Sequence, residues 1–168
     1  MSKLVFTLMM AFGVIGCAPF QSYDEPTSSI YYATQAAYTP TYQDHQSGYI
    51  WPLRQIDVSS RFGRRNGRLH AGMDLRAPPG TAIHAAADGW VKFSGYKRDY
   101  GHMIVIDHGN GIETAYAHNS RNVVGEGQSV TQGQIVGRVG RTGNATGNHV
   151  HFEFRRNGQA LNPANYLQ

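Results

Sequence analysis

Four histidines and one aspartate are the residues of this chain whose types and spacing could do chemistry. His149 and His151 stand two apart in an apolar run, and alternate side chains of a strand share a face, so both imidazoles point into one site. His70 and Asp74 lie four residues apart upstream, and His118 lies between the two segments. Zinc prefers imidazole and carboxylate ligands, and a catalytic zinc commonly uses three of them plus water. The set contains two side chains more than the three that zinc needs. This suits hydrolysis, because further side chains must transfer protons and stabilise the oxyanion.

Taken one at a time, these residues have simpler interpretations. A His-x-His pair on a strand can be structural or surface histidine, because imidazole hydrogen-bonds readily. His70 and Asp74 alone could form a surface ion pair. The remaining histidines of the C-terminal part, His84, His102 and His108, stand in no such pattern and are interpreted as structural; a role in shaping the groove is the alternative for His102 and His108.

The stretch from Trp51 to the C-terminus carries further short motifs in a fixed order. They are His70-Ala71-Gly72-Met73-Asp74, Pro79-Gly80-Thr81-Ala82-Ile83, Ala86-Ala87-Asp88-Gly89, Tyr100-Gly101, Val105-Ile106-Asp107-His108-Gly109-Asn110-Gly111, Gly140-Arg141-Thr142-Gly143 and Gly147-Asn148-His149-Val150-His151-Phe152-Glu153. In order and spacing the stretch resembles the LytM and lysostaphin-type zinc endopeptidases, which cut peptide bonds in bacterial cell walls.

The resemblance implies a role for each residue of the set. It assigns the zinc ligands as His70, Asp74 and His151, and the catalytic histidines as His118 and His149. Two positions depart from the family pattern: Asn119 replaces an apolar residue, and Asn148 stands where a proline often precedes His-x-His. Neither departure removes a donor.

Strands joined by tight turns must position these side chains. Apolar and β-branched runs predict strands at 90–94, 103–107, 113–116 and 149–155, and 107–111 predicts a hairpin turn. The chain has 20 glycines and no long helical periodicity. We therefore expect an all-β domain. The resemblance implies a compact, mostly antiparallel, sandwich- or barrel-like sheet with zinc at the floor of an open groove.

The N-terminus predicts export. The apolar core from Leu4 to Ile15 is too short to span a bilayer, and Gly16-Cys17 follows it in a pattern that resembles the bacterial lipoprotein box. Cys17 is the single cysteine of the chain; a disulfide to a partner subunit and a buried free thiol are the alternatives. We expect a lipoprotein signal peptide at 1–16 and a lipid anchor on Cys17, which holds the protein to a membrane of the cell envelope. In a Gram-negative host this would be the outer membrane, facing the periplasm.

Residues 17–50 are predicted to form a linker and residues 51–168 the zinc endopeptidase domain. From Ala18 to Tyr49 the chain is rich in Ser, Thr, Gln, Tyr and Pro and has no lysine or arginine, which is typical of a tether. Its recurring tyrosines leave open a second interpretation, a strip that binds the wall or a partner.

Positive charge is concentrated after Trp51, where 14 Lys and Arg face 8 Asp and Glu. Peptidoglycan stems carry carboxylates, so the cluster Arg61, Arg64, Arg65 and Arg68 could steer an anionic peptide; a solvated face is the alternative. Nucleic acid is a poorer explanation of this charge, because the N-terminus predicts export and the sequence shows no recognised nucleic-acid-binding module.

Together these features predict a zinc-dependent endopeptidase that hydrolyses peptide cross-links of bacterial peptidoglycan through metal-activated water. The alternative of a different class is a non-catalytic peptidoglycan-binding module or an activator of another cell-wall hydrolase. Such a protein would be expected to have lost metal ligands, whereas this chain keeps the whole set. The expected partners are peptidoglycan stems and cross-links and the membrane, with room for a regulatory protein.

Overall fold

The computed structural model describes residues 48–65 and 67–168. The predicted signal peptide, the lipidation site at Cys17 and most of the predicted linker lie outside the described residues. Within the described part, no helix is long and apolar enough to cross a membrane.

The described residues form twelve β-strands and one short 3-10 helix. The strands are β1 (Val58–Ser60), β2 (Gly63–Arg65), β3 (Arg68–His70), β4 (Met73–Arg76), β5 (Ala82–His84), β6 (Gly89–Lys97), β7 (Gly101–Asp107), β8 (Ile112–Asn122), β9 (Ser129–Val130), β10 (Ile135–Val139), β11 (His149–Arg156) and β12 (Gln159–Leu161), and the 3-10 helix is Pro163–Asn165. The four strands predicted from the sequence lie within β6, β7, β8 and β11. The all-β prediction is confirmed.

Ten strands form one antiparallel sheet in the order β1-β4-β11-β8-β7-β6-β9, with β12 paired to β11 and β10 paired to both β8 and β5. Strands β2 and β3 form a separate two-stranded sheet. The main order has ends at β1 and β9, so the sheet is open and the barrel form of the prediction is not realised. The three strands that matter most for the site, β4, β11 and β8, are direct neighbours.

The central strands are buried on both faces, which explains their almost continuous apolar sequences. Successive residues of β7 alternate between two clusters: Ile104 and Ile106 pack into the larger core, and Met103 and Val105 into a smaller one on the other face. Tyr116 and Phe152, both fully buried, lie in edge-to-face contact in the larger core, with ring centroids 5.3 Å apart. This packing holds β8 and β11 beside each other.

The predicted hairpin turn at 107–111 joins β7 to β8. Gly109, Asn110 and Gly111 all have positive φ, a conformation that glycine and asparagine adopt most readily. The His108 amide donates to the carbonyl of Ile112 at 2.9 Å and closes the turn. This prediction is confirmed.

The first described residues pack on the domain. Tyr49 forms a parallel bridge with Leu167, and the Ile50 amide donates to the carbonyl of Ala86 at 2.9 Å. The Tyr49 ring meets Phe154 edge to face at 4.8 Å. The segment just before Trp51 is therefore ordered against the sheet.

Candidate metal centre and groove

Strand pairing brings three of the predicted residues together. His151 of β11 lies directly opposite Asp74 of β4 and, on its other side, opposite Ala117 of β8. His70 ends β3 and reaches the same point. One donor atom from each of His70, Asp74 and His151 lies within 4.8 Å of the others. These are the three residues that the family resemblance implies as zinc ligands.

The donor atoms are close. Asp74 Oδ1 lies 2.8 Å from His151 Nδ1 and 3.1 Å from His70 Nε2, and the two ring nitrogens are 3.1 Å apart. Bond lengths of 2.0–2.2 Å to a tetrahedral zinc would separate ligand atoms by about 3.4 Å. The observed separations are slightly shorter, so small side-chain movements would accommodate the ion.

The other nitrogen of each ligand histidine determines which atom is free to bind a metal. His70 Nδ1 donates to the carbonyl of Arg61 at 2.8 Å, and His151 Nε2 donates to the carboxylate of Glu153 at 3.0 Å. In the neutral rings, His70 Nε2 and His151 Nδ1 therefore carry lone pairs and no proton. Two lone pairs and a carboxylate converge with no hydrogen between them, an arrangement that a cation stabilises. The donor set thus fits zinc.

Both partners of the closest contact have shifted pKa values. Burial tends to raise the pKa of the Asp74 carboxyl, but the hydrogen bond that a protonated His151 donates from Nδ1, together with the charges of the nearby imidazoles, outweighs burial and lowers the pKa to about 2. Burial tends to lower the pKa of His151, but in the doubly protonated ring Nδ1 donates to Asp74 and Nε2 donates to Glu153, and these bonds outweigh burial and raise the pKa. The Asp74 carboxylate is therefore ionised at neutral pH, as a metal ligand must be.

His118 reaches the site from β8 through an irregular backbone. It has φ of +62°, and the pairing of β8 with β7 shifts register near it. The left-handed conformation is uncommon for residues other than glycine. Two hydrogen bonds of 2.8 Å hold it: the His118 amide donates to the carbonyl of Tyr100, and Nδ1 donates to the carbonyl of Thr142.

The His118 ring lies among the other imidazoles, with its centroid 4.8 Å from that of His149 and 5.9 Å from that of His151. The bond from Nδ1 leaves Nε2 as the unprotonated nitrogen. Burial lowers the pKa of His118, and the neighbouring histidines add to the effect. At neutral pH the ring is neutral and able to accept a proton.

His149 begins β11, on the same face as His151, as the period of two predicts. Its Nδ1 donates to the carbonyl of Gly147 at 2.9 Å, and its Nε2 lies 3.7 Å from Asp74 Oδ1. His149 is therefore beside the three converging donors without being one of them. The structure brings all five predicted residues into one cluster; their roles are taken up below.

Several contributors were not singled out from the sequence. The carbonyls of Arg61, Thr142 and Gly147 orient three of the histidines, and the side chain of Glu153 orients the fourth. Of these contributors, only Glu153 could have been predicted from the sequence, because a carboxylate two residues after a histidine on one strand lies on the same face as that histidine. No sequence pattern indicates the three carbonyl partners.

The site opens into a groove of about 1160 Å³, whose lining includes Asp74 and His149. Three arginines also line it: Arg54, Arg65 and Arg76. Arg65 was in the cluster predicted to steer an anionic peptide and lies 3.7 Å from Asp74 Oδ2; the other two were not predicted. The positive charge that the groove presents therefore comes partly from arginines outside the predicted cluster.

Glycines near the site serve internal packing. A Cβ on Gly72 would collide with the carbonyl of Phe152, and one on Gly143 would collide with the backbone of Gly101. Close approach between segments of the protein itself explains these two glycines. A Cβ on Gly147 would meet no atom within 4 Å.

The histidines interpreted as structural have internal partners. His108 Nδ1 donates to the carbonyl of Asp88 at 2.7 Å, and its Nε2 bonds Thr114 Oγ1 at 2.7 Å. The ring of His102 meets that of Tyr96 edge to face, with centroids 5.2 Å apart. His84 is within 3.3 Å of the carbonyl of Pro52 and lines the groove.

An open antiparallel sheet with two histidines and an aspartate converging beside a groove defines a β-rich protein with a candidate catalytic metal centre. The chain belongs to peptidase family M23, whose sequence profile matches residues 68–163. This confirms the resemblance to LytM and lysostaphin-type peptidases.

Known relatives include both enzymes and an activator. The DD-carboxypeptidase/endopeptidase Mpg of Neisseria meningitidis is 47% identical over 120 residues, which cover 68% of this chain and 28% of that protein. The murein hydrolase activator NlpD of Salmonella dublin is 38% identical over 122 residues, covering 72% of this chain and 32% of NlpD. This chain thus spans less than a third of the length of these relatives.

Among solved structures, a zinc-containing peptidase from Vibrio cholerae superimposes with a TM-score of 0.66 at 28% sequence identity. The match covers 69% of this chain and 39% of that one. The fold is thus shared with a peptidase that contains zinc.

Proposed function

We propose that this protein is a zinc-dependent endopeptidase that hydrolyses peptide cross-links of bacterial peptidoglycan. The observation that carries the proposal is the convergence of His70 Nε2, His151 Nδ1 and the Asp74 carboxylate, with both imidazole protons committed elsewhere. Membership of peptidase family M23 supports the reaction class, and the zinc-containing relative supports the metal.

Zinc held by His70, Asp74 and His151 would activate a water molecule for attack and polarise the scissile carbonyl. Asp74, an anionic ligand, offsets part of the metal charge. His118 and His149 are proposed as the catalytic histidines that accept the proton at Nε2 and stabilise the tetrahedral oxyanion. Their Nδ1 atoms are bonded to backbone carbonyls, so Nε2 is the atom available for this work.

We propose the direct D-alanyl–diaminopimelate cross-link as the substrate in preference to a glycine bridge. Diaminopimelate carries free carboxylates, and Arg54, Arg65 and Arg76 line the groove beside the site. The name of the Neisseria relative, a DD-carboxypeptidase/endopeptidase, supports this choice.

The test is to incubate the purified full chain with peptidoglycan, with and without a chelator, and to identify released fragments by mass spectrometry. Chelator-sensitive conversion of directly cross-linked dimers to monomers is expected, and His151→Ala is the inactive control. Cleavage of pentaglycine with intact direct cross-links would overturn the substrate while sparing the zinc mechanism. No release from either substrate by zinc-loaded protein would overturn the enzyme assignment.

Activation of another hydrolase is the second candidate, and the similarity to NlpD favours it. An activator needs no turnover of its own and no metal. Metal-free protein that still stimulates a cell-wall hydrolase, with no cleavage by zinc-loaded protein alone, would establish this role.

We further propose that the protein acts at the cell envelope, anchored by lipid on Cys17. Support comes from the sequence alone, where an apolar core leads directly into Gly16-Cys17. Cys17→Ser is expected to abolish lipid labelling and membrane association. Wild-type protein recovered unlipidated from the medium would refute the anchor.

A further inference from the structure

Glu153 is an almost completely buried carboxylate beside the candidate metal centre. It is 1% exposed and stands two residues after His151 on β11, on the same face. Burying a charge is costly unless the charge is paired and hydrogen-bonded. A carboxylate in this position therefore needs partners, and the structure supplies three.

The two oxygens of Glu153 have separate tasks. Oε2 accepts from Nε of Arg155 and is ion-paired with a second guanidinium nitrogen, both at 2.6 Å. Oε1 accepts from His151 Nε2 at 3.0 Å and from the Tyr100 hydroxyl at 2.9 Å. Arg155 thus compensates the charge on one oxygen, and the other oxygen is directed at the metal-ligand histidine.

We propose that Glu153 is a positioning residue that fixes the proton of His151 on Nε2, makes Nδ1 the coordinating nitrogen and strengthens metal binding. The inference rests on the proposed zinc function. A carboxylate that accepts from a ligand imidazole orients the ring and raises its basicity, and loss of such a partner typically weakens metal binding by about 10- to 100-fold.

Tyr100 connects this arrangement to the catalytic side of the site. Its hydroxyl bonds Glu153, while its backbone carbonyl accepts from the amide of His118 at 2.8 Å. Tyr100 therefore contacts both Glu153, the partner of the metal ligand His151, and the backbone of the proposed catalytic histidine His118. Removing only the hydroxyl leaves the second contact in place.

The test measures the zinc dissociation constant of the metal-free full chain by competition with a chromogenic chelator. Glu153→Gln, which keeps the volume, is expected to bind zinc about 10- to 100-fold more weakly. Tyr100→Phe should weaken binding in the same direction by less. Glu113→Gln is the matched control, because Glu113 is ion-paired with Lys92 at 2.6 Å and is not among the converging donors; its affinity should equal that of the wild type.

Nitrogen-15 NMR of the zinc-loaded wild type adds a readout that a merely structural role would not move. It should show His151 with a metal-bound Nδ1 and a protonated Nε2. Coordination through Nε2, or wild-type affinity in folded Glu153→Gln, would overturn the inference. If Glu153→Gln does not fold, wild-type affinity in Tyr100→Phe would overturn it.

The outcomes separate this inference from the proposed function. Wild-type protein that cleaves peptidoglycan with zinc, alongside a Glu153→Gln variant of equal affinity, removes the positioning role and leaves the enzyme. Wild-type protein that binds no zinc removes both.

Discussion

Replacing Asp74 by Asn tests the metal centre most directly, because the amide keeps the shape of the side chain and loses its charge. At a zinc concentration about 100-fold above the dissociation constant, binding should stabilise the wild type by about 2.7 kcal/mol. About 120 described residues give an unfolding entropy of about 0.25 kcal/mol/K, so the melting temperature should rise by about 11 °C. In a variant that binds zinc 100-fold more weakly, binding should stabilise the protein by about 0.4 kcal/mol, and the melting temperature should rise by about 2 °C.

The assay is thermal unfolding of metal-free protein with and without zinc, comparing the zinc-induced rise within each variant. Asp57→Asn is the control: Asp57 also lines the groove, is 60% exposed and is ion-paired with Arg76, but contributes no converging donor. It should keep the full rise. A rise of about 11 °C in Asp74→Asn would refute the assignment of Asp74 as a ligand.

Three further predictions concern the two proposed catalytic histidines, a glycine and a histidine outside the site. His118→Ala and His149→Ala should keep bound zinc by elemental analysis and lose turnover in the peptidoglycan assay; loss of the metal would make that histidine a ligand. Gly101→Ala, at φ of +65° with backbone in the space of a Cβ, should lower the free energy of unfolding in urea more than Gly80→Ala, where φ is +82° and nothing lies within 4 Å; equal losses would contradict the steric argument. Burial lowers the pKa of His108 below 6.5, so as the pH falls through 6.5 the unfolded chain takes up a proton before the folded protein does and stability decreases. Urea unfolding at pH 7.5 and 5.5 should show a smaller decrease in His108→Gln, and an unchanged decrease would exclude this contribution.

The grouping of the site residues could be anticipated from sequence where a short local pattern specifies geometry. The two-residue spacing of His149 and His151 predicts a shared face on a strand, and the structure has it. The glycine-rich turn before β8 likewise follows from local preferences for positive φ. The pairing of His151 with Asp74, 77 residues apart, was expected only through resemblance to a family.

What the sequence could not reveal depends on contacts between distant segments. The positive φ of His118 is unusual for a histidine, and it depends on the carbonyls of Tyr100 and Thr142. Every residue has a backbone carbonyl, so residue type does not indicate which carbonyl accepts a hydrogen bond from His118. The groove arginines illustrate the same limit, because Arg76 lines the groove through its position on β4, directly opposite His149.

The four site histidines are all oriented by a hydrogen bond from the ring, and the acceptor of His151 differs from the other three. Each has one ring nitrogen bonded to an acceptor inside the protein: carbonyls for His70, His118 and His149, and a carboxylate for His151. A bonded ring has one orientation and one free nitrogen, so little reorganisation remains when a metal or a substrate arrives. A neutral carbonyl orients a ring with little effect on its charge. For His118 and His149 this suits a group that must release a proton after accepting it, and His70, a proposed ligand, has the same kind of acceptor. A carboxylate stabilises positive charge on the ring that donates to it, which suits contact with a cation, and in the structure this carboxylate, Glu153, is the partner of His151, one of the two proposed histidine ligands.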